Sequence, residues 1–215
     1  TLSESEYEDD EISELEGYES ILDEGRSILS EISLRWHYRS KHESLITFSN
    51  AKIYAENHQS LITFPSPIDK VKNNGVEYIY VPNGVYDRSI TRANKIEAKK
   101  VAELVFEHFR TTPNRSLGVI AFSEAQRNAI ENEIRYIRGM NKQYENFFNE
   151  DKEDSFFVKN LENVQGDERD TIFFSIGYAK DINGVMHMNF GPLNRDGGYR
   201  RLNVAITRAK YNIKL

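Results

Sequence analysis

The chain has 215 residues, of which 39% are hydrophobic and 29% charged, with a net charge of −6 and no cysteine. That composition predicts one globular domain of ordinary to large size with a substantial core. It excludes disulfides and cysteine-ligated zinc, and the absence of cysteine fits a reducing, cytoplasmic setting. No apolar run approaches the ~18 residues of a membrane helix, and an acidic N-terminus is not a secretory leader.

The charge is unevenly spread. Residues 1–31 carry twelve acidic side chains against Arg26 alone, a net of −11. The other 184 residues hold 22 acidic and 27 basic side chains, a net of +5. Residues 1–17 are acidic and poor in core-forming side chains, which predicts a disordered segment ahead of a domain over 18–215. Residues 18–29 (YESILDEGRSIL) predict a short helix with Ile21, Leu22, Ile28 and Leu29 facing inward. Residues 40–56 predict a second helix, with Leu45, Phe48 and Ile53 on its apolar stripe and Ser40 with Glu43 as a capping box. Residues 64–67 (FPSP) predict a rigid turn.

From residue 76 onward, strand and helix alternate. Residues 76–81 (VEYIYV) read as a strand, residues 94–109 as an amphipathic helix, and residues 117–122 (LGVIAF) as a buried parallel strand. Ser123 is a candidate N-cap for a helix continuing through Ile137, followed by a polar and aromatic stretch at 141–154 read as a lid or second helix. Strands are predicted at 156–160, 171–178 and 211–215, with a last helix over 200–210 behind Gly197 and Gly198. The alternation predicts an α/β fold, a parallel sheet with helices on both faces. Ligands of such sheets sit at the carboxyl ends of the strands, so the phosphate-handling side chains are expected to converge there. The chain stops just inside an apolar run at Leu215, which predicts a piece of a longer protein.

Four segments carry candidate chemistry. Arg208, in AITRAK, stands between a helix and a strand, where a planar guanidinium can reach a phosphoryl group or simply satisfy the helix terminus. Arg39, in LRWHYRSKHES, offers an anion-binding corner or an ordinary surface arginine, with Trp36 and Tyr38 as core or base-stacking rings. In VQGDERD, Gly166 permits a tight backbone, Gln165 can bond a phosphate or a neighbouring domain, and Glu168 can accept from ribose hydroxyls; a solvated turn is the alternative. Ser123 and Gln126 open a helix where backbone N–H groups suit a nucleic-acid phosphate, or cap it. His37 and His42 lack the partners of a metal site, so no metal is expected. No G-x-x-x-x-G-K-[ST] loop is present.

These segments, in this order, resemble the second RecA-like domain of superfamily 1 helicases, in the branch that includes the RNA-surveillance helicases. LRWHYRSKHESLITFSN is similar to that family's motif IV-type segment, LGVIAFSEAQRNAI to its strand–helix unit near the nucleic acid, NVQGDERDTIFFS to motif V and RRLNVAITRAK to motif VI. His37 stands where better-known eukaryotic relatives carry glutamine, and WHYRS with FGPLNRDGGYRRLN is closer to large bacterial members. The resemblance implies a RecA-like fold and an ATP-dependent helicase, an NTP hydrolase, whose Mg²⁺ and ATP are held mainly by a first RecA-like domain outside this chain. It implies Arg39 and Arg208 at the γ-phosphate and Glu168 at the ribose. Gly166 and Gln165 would couple nucleotide state to the domain interface, and Ser123 and Gln126 would contact single-stranded DNA or RNA. The implied partners are that nucleic acid and the first RecA-like domain, with no membrane. The chain alone is expected to be inactive. An inactive RecA-like module that binds nucleic acid or protein is the alternative.

Overall fold

The computed structural model describes residues 21–56, 58–65, 73–152 and 154–215. The acidic segment 1–17 and residues 66 and 67 of the predicted 64–67 turn lie outside the described residues. The chain divides into two units, residues 1–35 and 36–215.

In the first unit, α1 (Ile21–Ile28) falls within the helix predicted over 18–29, of which residues 18–20 lie outside the described residues. Its apolar side chains do not face inward as expected: Ile21 is 87% and Ile28 78% exposed. Two turns of helix with a glycine at Gly25 cannot build a core of their own.

The second unit is a five-stranded parallel sheet with strands β3 (Gly75–Glu77), β4 (Leu117–Ala121), β5 (Phe157–Asn160), β6 (Arg169–Ser175) and β7 (Ala209–Lys214), ordered β3-β7-β6-β4-β5. A separate short parallel pair joins β1 (Trp36–His37) to β2 (Ile62–Thr63). The helices are α2 (Ser44–Ser49), α3 (Lys95–Thr111), α4 (Glu124–Met140) and α5 (Gly198–Ile206). This is the α/β RecA-like sheet anticipated above.

Side chains alternate across each strand, so β4 and β6 feed two cores. Val119, Ala121 and Phe173 join Val105, Phe109, Ile130 and Ile134 beneath α3 and α4. Ile120, Ile172 and Phe174 join Leu45, Ala205 and Ile213 on the other face. Each fully buried Ile or Val of this set contributes about 1.5–3 kcal/mol of transfer free energy. Gly118 is required by packing: its register partner is Phe157, whose ring lies where a Cβ would be.

Several elements depart from expectation for local reasons. β3 ends at Glu77, although Ile79 N–H still donates to Leu215 at 2.6 Å; Tyr78 and Tyr80 stay exposed. The helix predicted over 40–56 is α2 followed by a π-helical turn at Asn50–Tyr54. It has no Ser40/Glu43 capping box. Instead Nδ1 of His42 accepts from the N–H of Ser44 at 3.3 Å, and Phe48 remains half exposed while Leu45 and Ile46 are buried. The last helix stops at Ile206, because the chain must turn at Thr207 and Arg208 to enter β7. The 141–154 stretch holds a 3-10 turn, Lys142–Phe148, which closes an aromatic cluster in which Phe147 stacks on Phe109 at 4.3 Å. It is a packed cover rather than a lid.

Candidate functional site

Motif geometry begins at the turn before β6. Asp167 N–H donates to Val164 C=O at 3.3 Å, and Gly166 takes φ +89° at the third position, which glycine fills in type II turns. No neighbour lies within 4 Å of a Cβ at Gly166, so the turn is open to close approach. Gln165 is exposed beside it. Arg169 is buried beneath the turn. It donates to the carbonyl of Glu168 at 2.6 Å and of Ser155 at 2.8 Å, and its guanidinium lies 4.8 Å from the Phe157 ring. Sequence reasoning missed this strut, because an arginine opening a strand gives no local sign of burial.

Arg39, Glu168 and Arg208 come together. Nε of Arg39 donates to Oε2 of Glu168 at 3.1 Å across 129 residues of chain, and an Arg39 terminal nitrogen reaches the Thr207 carbonyl at 3.5 Å. Arg208 donates to the carbonyls of Val204 at 2.8 Å and Asp167 at 3.2 Å, and to the Thr207 hydroxyl oxygen at 3.0 Å. The second Glu168 oxygen pairs with Lys210 at 3.0 Å. Lys210 was also missed, because the sequence predicts a helix through residue 210, whereas β7 begins at Ala209 and holds Lys210. The hydrogen bond from Lys210 holds the Glu168 carboxyl below its ordinary pKa, with Arg39 adding to the effect. Burial, then the neighbouring Arg39 charge, lowers that of Arg208. Two cations, Arg39 and Lys210, thus pair with one carboxylate at a partly open edge, with Arg208 beside them.

That edge is at the amino ends of β6 and β7, not at the carboxyl ends as expected. Glu168 directly precedes β6 and Arg208 directly precedes β7, so the strand direction places both at the entry. Nearby, Nε2 of His37 accepts from the N–H of Ser40 at 3.2 Å, closing the turn that carries Arg39. Burial is the main cause that lowers the His37 pKa, with Arg39 second, consistent with that neutral acceptor role.

At the opposite edge, Ser123 caps α4 by accepting from the N–H of Gln126 at 3.2 Å. Gln126 itself is not at the surface. Its side chain is fully buried; Oε1 accepts from Asn94 N–H at 2.8 Å, and Nε2 donates to Asn94 C=O at 3.2 Å and Ser175 Oγ at 3.0 Å. Its expected place on a nucleic-acid backbone is therefore corrected: the carboxamide is spent inside the fold. Ser175 Oγ donates to Glu97 at 2.7 Å, and the Gly177 N–H donates to the same carboxylate at 2.9 Å. Asn94 accepts from the Glu97 N–H at 3.1 Å, a cap legible in the N-x-x-E spacing.

Burial raises the Glu97 pKa despite these hydrogen bonds. The folded state therefore keeps the Glu97 proton to higher pH than the unfolded chain. Its contribution to stability is complete below the unfolded pKa and is lost as pH rises through the folded one. In urea unfolding from about pH 4 to pH 7, wild type should lose stability relative to Glu97→Gln as pH rises, against the opposite trend of groups with lowered pKa such as Glu168, His37 and His108. An identical slope in the two proteins would contradict the assignment.

Residues 18–215 match the AAA domain family AAA_12, which takes in the whole sheet and every residue of both edges. The chain belongs to the AAA_12 family. Two relatives of this AAA_12 domain are similar over nearly its full length. One is the "Uncharacterized ATP-dependent helicase MG140" of Mycoplasma genitalium, 38% identical over 194 residues, covering 85% of this chain and 16% of the relative. The other is its homolog in Mycoplasma pneumoniae, 37% identical over 193 residues with the same coverage. The chain thus spans about one sixth of the length of the curated relatives it matches. No helix among the described residues is long and apolar enough to cross a membrane. No group of three or more His, Asp or Glu side chains among the described residues is placed to hold a metal ion.

Proposed function

We propose that this AAA_12 domain is the second, C-terminal RecA-like half of a bacterial superfamily 1 helicase motor of the RNA-surveillance type. One observation carries the reading: the fold gathers Arg39, Glu168 and Arg208, remote in sequence, onto one partly open edge. That donor set fits a nucleoside triphosphate. Two guanidiniums and Lys210 meet phosphate charge, Glu168 offers acceptors for ribose hydroxyls, and the open turn at Gly166 allows close approach. The edge does not fit the accompanying Mg²⁺. Glu168 is held by two cations and Asp167 is paired with Lys159 at 2.6 Å, so metal-binding carboxylates belong to the first RecA-like domain.

In this reading Arg39 leaves Glu168 to reach the γ-phosphate, and Arg208, fixed by three hydrogen bonds, stabilises charge on the transferring oxygens. Gly166 and Gln165 lie where the facing domain would contact the turn. Ser123, at the other edge, contacts single-stranded DNA or RNA. The relatives' helicase name supports the reading for the parent protein, within which the activity resides.

The test is steady-state ATP hydrolysis by the parent protein. Glu168→Ala should raise KM for ATP by about tenfold or more, the worth of a charge-assisted hydrogen bond. KM for 2′,3′-dideoxy-ATP should change far less. Equal changes for both nucleotides, or none, would leave only a binding module.

A further inference from the structure

The carboxyl-end edge carries a surface that the motifs do not account for. Between Asp87 and Lys100 stand five basic side chains, Arg88, Arg92, Lys95, Lys99 and Lys100, and two acidic ones. Both carboxylates are used inside the fold. Asp87 accepts from the N–H groups of Ser89, Ile90 and Thr91 at 2.9–3.1 Å and from the Ser89 and Thr91 hydroxyls. Glu97 is bound by Ser175 and Gly177. None of the five cations forms an ion pair among the described residues. Arg127, by contrast, at the start of α4, is held by Glu124 at 2.7 Å and Glu131 at 3.7 Å. An unneutralised cluster of this kind attracts a polyanion.

Its shape is specific. The Asp87 hydrogen bonds, with Asp87 N–H to Ala93 C=O at 3.1 Å, pin a tight loop whose tip is Ile90, 86% exposed. Arg88 and Arg92 flank that tip, and Arg92 is held at φ +51°. A pinned apolar tip between two arginines is a surface for a flat ring rather than a frayed loop. Behind it, a groove of about 520 Å³ runs between α3 and α4. Ala98, Ala125 and Ala129 leave it room, and Lys95, Asn128 and Asn132 line it. The Asn94–Gln126 hydrogen bonds tie the caps of both helices together, so two positive helix ends lie at the same place. Glu133 also lines the groove and disfavours phosphate beside it.

We propose that the 87–92 loop and the groove between the first halves of α3 and α4 bind single-stranded nucleic acid, with Arg92 and Lys95 on successive phosphates and Ile90 against a base. This rests on the helicase reading and extends its contacts beyond Ser123. Amide side chains in the groove suit base edges, and an unpaired strand alone offers both a free base face and a phosphate row to one small surface. The face lies at the sheet edge opposite Arg39 and Arg208, so strand and nucleotide are held at opposite ends of β6.

The test is fluorescence anisotropy with the 215-residue chain and labelled oligo(dT) and oligo(U) of about 15 nucleotides, titrated over a range of salt. Arg92→Glu with Lys95→Glu should weaken binding at low salt by about tenfold or more. The neutral pair Arg92→Gln with Lys95→Gln should reduce the slope of log K against log salt by about 1.4, two phosphate contacts on a single strand. Ile90→Ala should weaken binding with the slope unchanged. Lys142→Glu with Lys152→Glu, an equal charge change on and after the 3-10 segment, should have little effect. Circular dichroism checks folding, and the neutral pair keeps the test valid if charge reversal disturbs it. Binding of the Arg92/Lys95 variants within twofold of wild type overturns the face and leaves the helicase reading standing. So does a control that weakens binding equally, or poly-glutamate that competes as well as the oligonucleotide. Failure of the wild-type chain to bind either oligonucleotide overturns the face and the role of Ser123 together, while the arginine edge is judged separately by ATP turnover in Arg208 variants.

Discussion

Arg208→Ala in the parent protein is expected to lower kcat for ATP hydrolysis by about 10³–10⁵-fold, the range for loss of an arginine that stabilises phosphoryl transfer. The geometry supports an effect at the upper level. The guanidinium is already oriented by Val204, Asp167 and Thr207, so no ordering is needed when the phosphate arrives. Part burial strengthens its field over that of a solvated lysine. Arg208→Lys should recover little, because an ammonium cannot reproduce the planar fork or reach all three acceptors. Affinity for ATP should move less than turnover, since the interaction is strongest where charge develops. A loss in kcat smaller than about tenfold would place Arg208 among structural arginines, and the pair of variants would show this directly.

The second large effect concerns stability. Gln126→Leu should destabilise the chain by about 3–5 kcal/mol, a value reached only by broken buried networks and large cavities. Leucine fills the volume but strands the Asn94 N–H and removes one bond each from the Asn94 carbonyl, which keeps the Ala98 N–H, and from Ser175 Oγ, which keeps Glu97. The unpaired buried N–H costs about 1–3 kcal/mol and each of the two lost bonds about 0.5–1.5 kcal/mol. The urea midpoint should fall with little change in the denaturant slope. Ser123→Ala, which removes only the cap acceptor, should cost about 1 kcal/mol. A Gln126→Leu loss no larger than the Ser123→Ala loss would mean that the network is replaceable by water.

The two edges differ in how far they could be read before the fold was known. Apolar runs such as LGVIAF name buried parallel strands because every side chain on either face must be covered. Ser123 and Asn94 name helix starts because capping acts within three residues. The four motif segments, read together, point to a helicase-family domain, which the AAA_12 match over residues 18–215 and the relatives named as helicases support. The misplaced edge was also legible: Glu168 and Arg208 each precede a strand, and parallel strands put both at the amino ends. The rule that ligands sit at carboxyl ends holds for sheets that cradle their own phosphate, and it displaced the simpler inference.

What the sequence by itself determined is the main strands and helices of the sheet, their alternation, the charge split and the identity of the side chains able to meet phosphate, all carried by neighbours along the chain. What only the tertiary structure decided is which distant side chains share a partner. Arg39 finds Glu168 across 129 residues, Gln126 turns inward to Asn94 and Ser175, and Ile21 and Ile28 remain exposed. The physical reason is that the strand order β3-β7-β6-β4-β5 places chain-distant segments side by side. A long polar side chain takes the partner that this order brings within hydrogen-bonding distance, whether that partner lies at the surface or in the core.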